Sequence, residues 1–120
     1  MSQTIRPWGL FEVLHTSSKT GPTFQIKKLV VNPNSKLSLQ SHEYRSEHWV
    51  VIEGEGKAVI GEDTIVLGPN THVFVPRKVK HRLMNPTNKR LVLIEVQTGI
   101  TVDENDIVRY EDDYNRAERG

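Results

Sequence analysis

Short apolar runs separated by turn residues occupy the middle of the chain. Val, Ile, Leu, Thr and Phe dominate these runs, and such residues favour the pleated, half-buried surface of a strand. The predicted strands are Thr23–Val31, Lys36–His42, Glu47–Glu53, Lys57–Ile60, Thr64–Leu67, Thr71–Val75, His81–Asn85 and Arg90–Gln97. No segment before residue 100 has a helical period. Many short, closely spaced strands predict an all-β sandwich or barrel.

The two ends of the chain follow a different pattern. Residues 6–14 are rich in aromatic and apolar side chains, which predicts an edge strand or arm that docks on the barrel or on a second subunit. From residue 101 the chain is acidic and polar. Its apolar side chains are predicted to anchor a short helix or turn against the barrel; they are Ile107, Val108, Tyr110 and Tyr114. A single domain, residues 1–120 with a core at about 23–98, accounts for this pattern.

Composition and charge narrow the classes of partner. The 120 residues are 36% hydrophobic and 26% charged, and 16 basic against 15 acidic side chains give a net charge of +1. A chain without a broad electrostatic field is not expected to bind nucleic acid or an anionic membrane. If it binds a phosphate group, a local cluster of Arg or Lys must do so.

The chain has no cysteine, so disulfides, thiolate catalysis and thiolate metal sites are excluded. A metal site would have to use imidazole, carboxylate and amide groups. The first six residues lack an apolar signal region, and no apolar run is long enough to span a bilayer. We therefore expect a cytoplasmic protein with no membrane partner.

Four residues with metal-binding side chains stand in a suggestive order. Gln40 and His42 lie two apart in a predicted strand, so their side chains share one face. Glu47 opens the next predicted strand, and His81 opens a later one. Two imidazoles, a carboxylate and an amide oxygen suit Zn²⁺, and also Mn, Fe, Co or Ni. Each residue alone is more often a surface group, but together they indicate one divalent ion.

The order of these residues resembles the two cupin motifs. The residues that carry the resemblance are Gln40, His42, Glu47 and Gly54, and then Pro76, His81 and Asn85. It implies a cupin jelly-roll barrel, also called a double-stranded β-helix, with a metal held by Gln40, His42, Glu47 and His81. Asn34, Asn70 and Lys78 stand where the motifs usually have Gly. Asn accepts the left-handed backbone that Gly would supply, whereas Lys does so less readily.

Longer stretches resemble one family, the cupin domain of type II mannose-6-phosphate isomerases. They are Arg6–Gly9, Leu37–Gln40, Arg45–Val51, His81–Leu83, Leu93–Gln97 and Asp106–Arg109. In that family the domain is usually the C-terminal part of a bifunctional enzyme that also has mannose-1-phosphate guanylyltransferase activity. No Gly-rich nucleotide-binding segment is present here, so guanylyl transfer is not expected of this chain.

The resemblance implies a metal-dependent aldose–ketose isomerase that interconverts mannose 6-phosphate and fructose 6-phosphate. The metal would polarise the O1 and O2 oxygens during proton transfer between C2 and C1. Arg45 is assigned to catalysis and phosphate binding, in a turn over the open metal face, with a role in chemistry and not in folding. Tyr44 and Arg82 are assigned to substrate binding, although a surface salt bridge is an equal interpretation for Arg82. The general base is not identified.

Two other functions remain open. A cupin without turnover could bind a sugar or sugar phosphate through its metal. A metal-free sugar-nucleotide epimerase would need a catalytic His–Asp pair, which the sequence does not offer. A homodimer is also predicted, because cupins have edge strands and apolar outer faces that need cover, and the arm with Trp8 and Phe11 is the candidate to cross between subunits.

Overall fold

The computed structural model of the chain describes residues 3–111, which form twelve strands and no helix. The strands are β1 (Gln3–Arg6), β2 (Gly9–Thr16), β3 (Phe24–Val31), β4 (Ser35–Lys36), β5 (Leu39–Ser41), β6 (Arg45–Glu53), β7 (Gly56–Ile60), β8 (Asp63–Leu67), β9 (His72–Val75), β10 (His81–Asn85), β11 (Leu91–Gly99) and β12 (Val108–Glu111). A search of the same residues for a helix long and apolar enough to cross a membrane finds none.

The strands form two sheets. One has the order β1–β2–β3–β11–β6–β9, and the other has the order β12–β5–β10–β7–β8 with β4 paired to β10. After β5 the chain changes sheets at nearly every connection, which is the winding of a jelly roll. The prediction of an all-β jelly-roll barrel is therefore confirmed, and every paired strand runs antiparallel to its neighbour.

All eight predicted strands are present, but one is interrupted. The run Lys36–His42 is divided into β4 and β5. Between them, the Leu37 N–H donates to Leu83 O at 2.9 Å and the Leu37 carbonyl accepts from Arg82. The N–H contact continues the pairing of β4 with β10, whereas the side chain of Arg82 takes the Leu37 carbonyl and interrupts the ladder.

Both chain ends add strands to the barrel. The predicted arm is the β1–β2 hairpin, and β2 pairs with β3 of the same chain. The prediction of a short helix or turn near residue 108 is wrong, because those residues form β12 beside β5. The Tyr110 hydroxyl lies 2.8 Å from Ser41 Oγ, and this contact helps to hold the strand in place. Tyr114 lies outside the described residues.

The hydrophobic core lies between the two sheets and includes side chains from the arm. Trp8 and Phe11 are both buried in it, together with Leu29, Val31 and Trp49. Inward positions alternate along the strands, as a two-layer β structure requires. The two arm aromatics thus pack in their own barrel, so the described chain gives them cover without a second subunit.

Three turns use a left-handed backbone without glycine. The φ angles are 53° at Asn34, 70° at Asn70 and 67° at Lys78. The expectation for the two asparagines is confirmed, and Lys78 adopts the same conformation. Its N–H donates to His42 O at 2.7 Å, and its Nζ lies 3.5 Å from Glu43 Oε1. The turn before β10 is therefore fastened to the segment that follows β5.

Candidate metal centre

Three of the four predicted ligands meet inside the barrel. His42 follows β5, Glu47 lies in β6, and His81 opens β10. Each offers one ligand atom, and these atoms lie within 4.8 Å of one another. The Nε2 atom of His42 is 3.1 Å from Glu47 Oε2, and the two imidazole centroids are 5.0 Å apart. All three side chains are buried, so the group forms a compact interior cluster.

Both histidines have a main-chain partner for Nδ1. The Nδ1–H of His42 donates to Asp106 O at 2.7 Å, and that of His81 donates to Val79 O at 3.1 Å. Such outer contacts fix the tautomer that leaves Nε2 free as a ligand. Burial lowers the pKa of His81, although the nearby Glu47 opposes this effect. The His81 imidazole is therefore neutral at pH 7, as a metal ligand must be.

Glu47 is held by contacts to both carboxylate oxygens. Its Oε1 accepts from Trp49 Nε1 at 3.0 Å, and its Oε2 accepts from Arg45 Nε at 2.9 Å. Burial alone would raise the pKa of Glu47, but the close contact with His42 and the positive charge of Arg45 outweigh burial and hold it well below its usual value. Glu47 is thus a buried, ionised carboxylate.

Gln40 stands beside this cluster as the fourth predicted ligand. It is the Cα partner of His81 in the pairing of β5 with β10, and it lines the same cavity. Its Nε2 donates to Ser38 Oγ at 3.0 Å, so the amide oxygen is the atom it can offer to a cation. Two oriented imidazoles, an ionised carboxylate and this amide fit a divalent metal ion such as zinc.

Arg45 does not lie in a turn over the cluster. It is the first residue of β6, 6% exposed, and its Nη2 lies 3.3 Å from His42 Nε2. Burial would lower the pKa of its guanidinium, but the carboxylates of Glu47, Glu95 and Glu104 together raise it. A buried cation on a buried carboxylate is part of the packed interior, so the structure leads us to expect that Arg45 also contributes to folding.

Two predicted substrate contacts lie away from the cluster. Tyr44 is 48% exposed and is not among the residues that line the cavity. Its main-chain N–H donates to Asp106 Oδ2 at 2.9 Å. Tyr44 therefore serves as an anchor for the segment that contains Asp106, through its backbone.

Arg82 is also outside the cavity. Its Nε donates to Leu37 O at 2.8 Å, and its Nη2 donates to Glu111 O at 3.2 Å. These acceptors belong to the chain between β4 and β5 and to the end of β12. Arg82 thus joins these two main-chain segments.

A cavity of about 90 Å³ lies against Gln40, Glu47 and His81. Its other charged lining residues were not predicted from the sequence; they are Arg6, Lys27, Glu95, Glu104 and Arg109. Two of them carry a signal that could have identified them. On β3, Lys27 is two residues from Leu29 and shares its buried face. On β11, Glu95 is two residues from Leu93 and shares its buried face. Each is therefore a charged residue at an inward strand position.

Glu95 is a buried acid next to Glu47. Burial and the charge of Glu47 raise its pKa to about 8. Its Oε1 accepts from Gln97 Nε2, and its Oε2 accepts from Trp49 Nε1 at 3.2 Å. The Glu95 carboxyl is therefore mostly protonated at pH 7 and adds little negative charge to the cavity.

Known proteins resemble this chain along nearly its whole length. The family model described as mannose-6-phosphate isomerase C-terminal matches residues 1–112. The xanthan biosynthesis protein XanB of Xanthomonas campestris is 44% identical over 96% of this chain, and the mannose-1-phosphate guanylyltransferase ManC of Salmonella typhimurium is 39% identical over the same share. The chain spans only 24% and 23% of these two relatives.

Solved structures agree on the fold. The capsular polysaccharide assembling protein CapF of Staphylococcus aureus matches with a TM-score of 0.78 at 17% identity, over 92% of this chain and 34% of that one. A cupin-2 domain from Rhodospirillum rubrum matches with a TM-score of 0.66 at 20% identity, over 81% of this chain and 67% of that one. The prediction of a cupin barrel is confirmed.

The same comparisons correct the predicted function. The relatives bear the names of a guanylyltransferase and of polysaccharide biosynthesis proteins, and the chain corresponds to about a quarter of each. The prediction that this chain interconverts mannose 6-phosphate and fructose 6-phosphate is wrong, because those names describe much longer proteins and do not make this cupin domain catalytic. What the match over residues 1–112 establishes is membership: the chain belongs to the mannose-6-phosphate isomerase C-terminal family.

Proposed function

We propose that this domain holds one divalent metal ion, zinc by ligand preference, and uses it to bind a phosphorylated sugar without turnover. The observation that carries the proposal is the cluster of His42, Glu47 and His81, in which both Nδ1 atoms donate to main-chain carbonyls. This arrangement supports a resident metal, because both imidazoles are oriented to present Nε2.

The metal ion and the protein side chains would have separate roles in binding the ligand. A divalent ion with one carboxylate ligand keeps a charge of about +1, which attracts a sugar hydroxyl or carbonyl oxygen. Trp49 fixes the orientation of the Glu47 carboxylate, and Gln40 adds a neutral oxygen ligand. These contacts leave the net charge at the cluster positive.

The charge of the cavity supports a phosphorylated ligand. Its basic lining residues are Arg6, Lys27, Arg45 and Arg109. They outnumber the acidic lining residues, which are Glu47, Glu95 and Glu104. Since the whole chain has a net charge of only +1, this positive charge is a local feature of the cavity. One relative is named for a sugar phosphate, mannose 1-phosphate, which supports the same class.

Binding without turnover is consistent with the state of the acidic groups. Proton abstraction from a sugar carbon requires an available base. Of the carboxyl groups in the cavity lining, Glu47 is a proposed metal ligand, and Glu95 is hydrogen-bonded to Gln97 and Trp49. Neither of these two groups is a free base, which supports binding without turnover.

The proposal is tested by calorimetric titration of mannose 6-phosphate into protein treated with a chelator and then reloaded with Zn²⁺, Mn²⁺, Co²⁺ or Ni²⁺. Binding is expected only after reloading, and it is expected to be weaker for mannose, the matched ligand without phosphate. Absence of binding with every metal would overturn the proposal. Formation of fructose 6-phosphate in a coupled assay would overturn the non-catalytic role.

A further inference from the structure

Two buried cations converge on one carboxylate at the edge of the cavity. Lys27 Nζ donates to Glu104 Oε2, and Arg45 Nη1 lies 3.8 Å from the same oxygen. The side chains of Lys27 and Arg45 are 4% and 7% exposed, whereas that of Glu104 is 45% exposed. Lys27 lies on β3 and Arg45 on β6, so two rigid strands present positive charge to one residue on the connection between β11 and β12.

Lys27 and Arg45 have hydrogen-bond donors that Glu104 does not satisfy. Arg45 Nη1 is buried and has no hydrogen-bond partner among residues 3–111, because 3.8 Å is too long for a hydrogen bond. Lys27 Nζ carries three donor hydrogens and lies 4.2 Å from the centroid of the Phe11 ring. Burying such donors costs free energy unless an acceptor meets them. A single carboxylate oxygen is a poor match for this pair.

Glu104 is not what holds its own segment in place. Its neighbour Asp106 accepts from the main-chain N–H of Glu43 through Oδ1 and of Tyr44 through Oδ2, each at 2.9 Å. Asp106 O also accepts from His42. The Glu104 side chain can therefore leave the cations while Asp106 keeps the segment attached.

The small size of the cavity favours such a movement. Small-molecule sites typically have volumes of about 300–1,000 Å³, and this cavity has about 90 Å³. A sugar phosphate enters this space more fully if part of the lining is displaced. Of the charged lining residues described above, Glu104 is the half-exposed one on a connection without strand structure, so it is the group that moves at least cost.

We propose that Lys27 and Arg45 form the binding site for the phosphoryl group of the ligand, and that the Glu104 carboxylate occupies this site until the ligand displaces it. The proposal rests on the proposed function, since it assigns the phosphate end of the same ligand. A phosphoryl group offers three acceptor oxygens, which suit the unpartnered Nη1 and the Lys27 ammonium together. Arg45 also contacts Glu47 through Nε, so the site adjoins the metal cluster.

The test uses the metal-loaded protein and two probes, mannose 6-phosphate and inorganic phosphate, in calorimetric titrations. Glu104→Gln keeps the shape of the side chain but removes its charge, and it is expected to tighten binding of both probes about tenfold because the internal competitor is weakened. Lys27→Met is expected to weaken both by about 30-fold or more. Glu62→Gln, an exposed acid in the β7–β8 turn, is the matched control and should change nothing.

The outcomes separate this proposal from the proposed function. If the unmodified protein binds mannose 6-phosphate and Glu104→Gln binds both probes no more tightly, the displacement model is overturned while the proposed function stands. If the unmodified protein binds neither probe but Glu104→Gln binds inorganic phosphate, the anion site is supported and the proposed function fails. If Glu104→Gln also fails to bind inorganic phosphate, the anion site is overturned. Metal content, measured in parallel, should be equal in all four proteins.

Discussion

His42 and Asp106 are joined by a hydrogen bond of 2.7 Å from the imidazole Nδ1 to a main-chain carbonyl, across 64 positions of the chain. The Asp106 carboxylate in turn accepts from two main-chain N–H groups that follow His42 in sequence. One residue near the end of the described chain therefore orients a candidate metal ligand and fastens the loop that carries it.

Asp106→Ala should weaken the binding of zinc by about tenfold to a hundredfold, which is typical for loss of an outer contact to a ligating histidine. The side chain no longer fixes the loop, so the carbonyl that orients His42 shifts. The measurement is competition for zinc with a fluorescent chelator. Glu62→Ala, a remote exposed acid, is the control, and equal affinity in the two variants would show that Asp106 does not position the ligand.

His81→Ala should remove most of the metal, because it deletes one of only two nitrogen ligands in the cluster. The unmodified protein is expected to carry about one ion per chain, counted by mass spectrometry after dialysis. His48→Ala is the matched control, because that imidazole lies on the outer face of β6 beside Phe74. Metal content that survives in His81→Ala would contradict the ligand set.

Arg45→Ala should destabilise the chelator-treated protein by about 3 kcal/mol, because it leaves the Glu47 carboxylate buried without its cation. Addition of zinc should recover part of this loss, since the ion supplies positive charge to the same carboxylate. Urea unfolding with and without zinc measures both quantities. Arg90→Ala breaks an exposed ion pair with Glu53 and should change stability little.

Lys78→Gly should stabilise the fold by about 0.5 kcal/mol, which corresponds to a rise in Tm of about 2–3 °C. The φ of 67° strains a residue with a Cβ, and glycine removes that strain at some cost in chain entropy. Arg77→Gly is the control, and it is expected to change Tm in the opposite direction. That neighbour has no positive φ, so glycine there should lower Tm. Calorimetry that ranks the two variants in the reverse order would refute the argument.

The cytoplasmic location stays a prediction. The homodimer also stays a prediction, and sedimentation velocity at micromolar concentration is the measurement that tests it. A dimer is expected because β9 is a sheet edge and its outward Phe74 is half exposed. A single monomeric species over the whole concentration range would contradict it.

Much of the barrel follows from local pattern. The alternation along β3 and β11 is plain in the sequence, and the two-residue spacing of Gln40 and His42 indicates a shared face. The strand β12 could not be predicted this way, because it has four residues and depends on a partner, β5, that lies far away in sequence. Edge pairing of that kind is decided by tertiary contacts.

The position of Arg45 shows a second limit of sequence reasoning. The sequence assigns Arg45 to the site, but it does not show that the buried guanidinium lies 3.8 Å from Glu104, which is 59 positions further along the chain. The contact between Lys27 and Glu104 spans 77 positions. Periodicity identifies which face of a strand a residue occupies, but it does not show which distant charge meets it there.

The four residues of β12 also bear on how the protein can be shortened. They cover the outer edge of β5, the strand that carries Gln40, and pair with all three of its residues. A fragment trimmed to residues 23–98 would expose that edge, and it would also lose Trp8 and Phe11 from the core. Open strand edges recruit other chains and nucleate aggregates. Such a fragment should therefore be recovered as insoluble material, even though every candidate metal ligand lies within it.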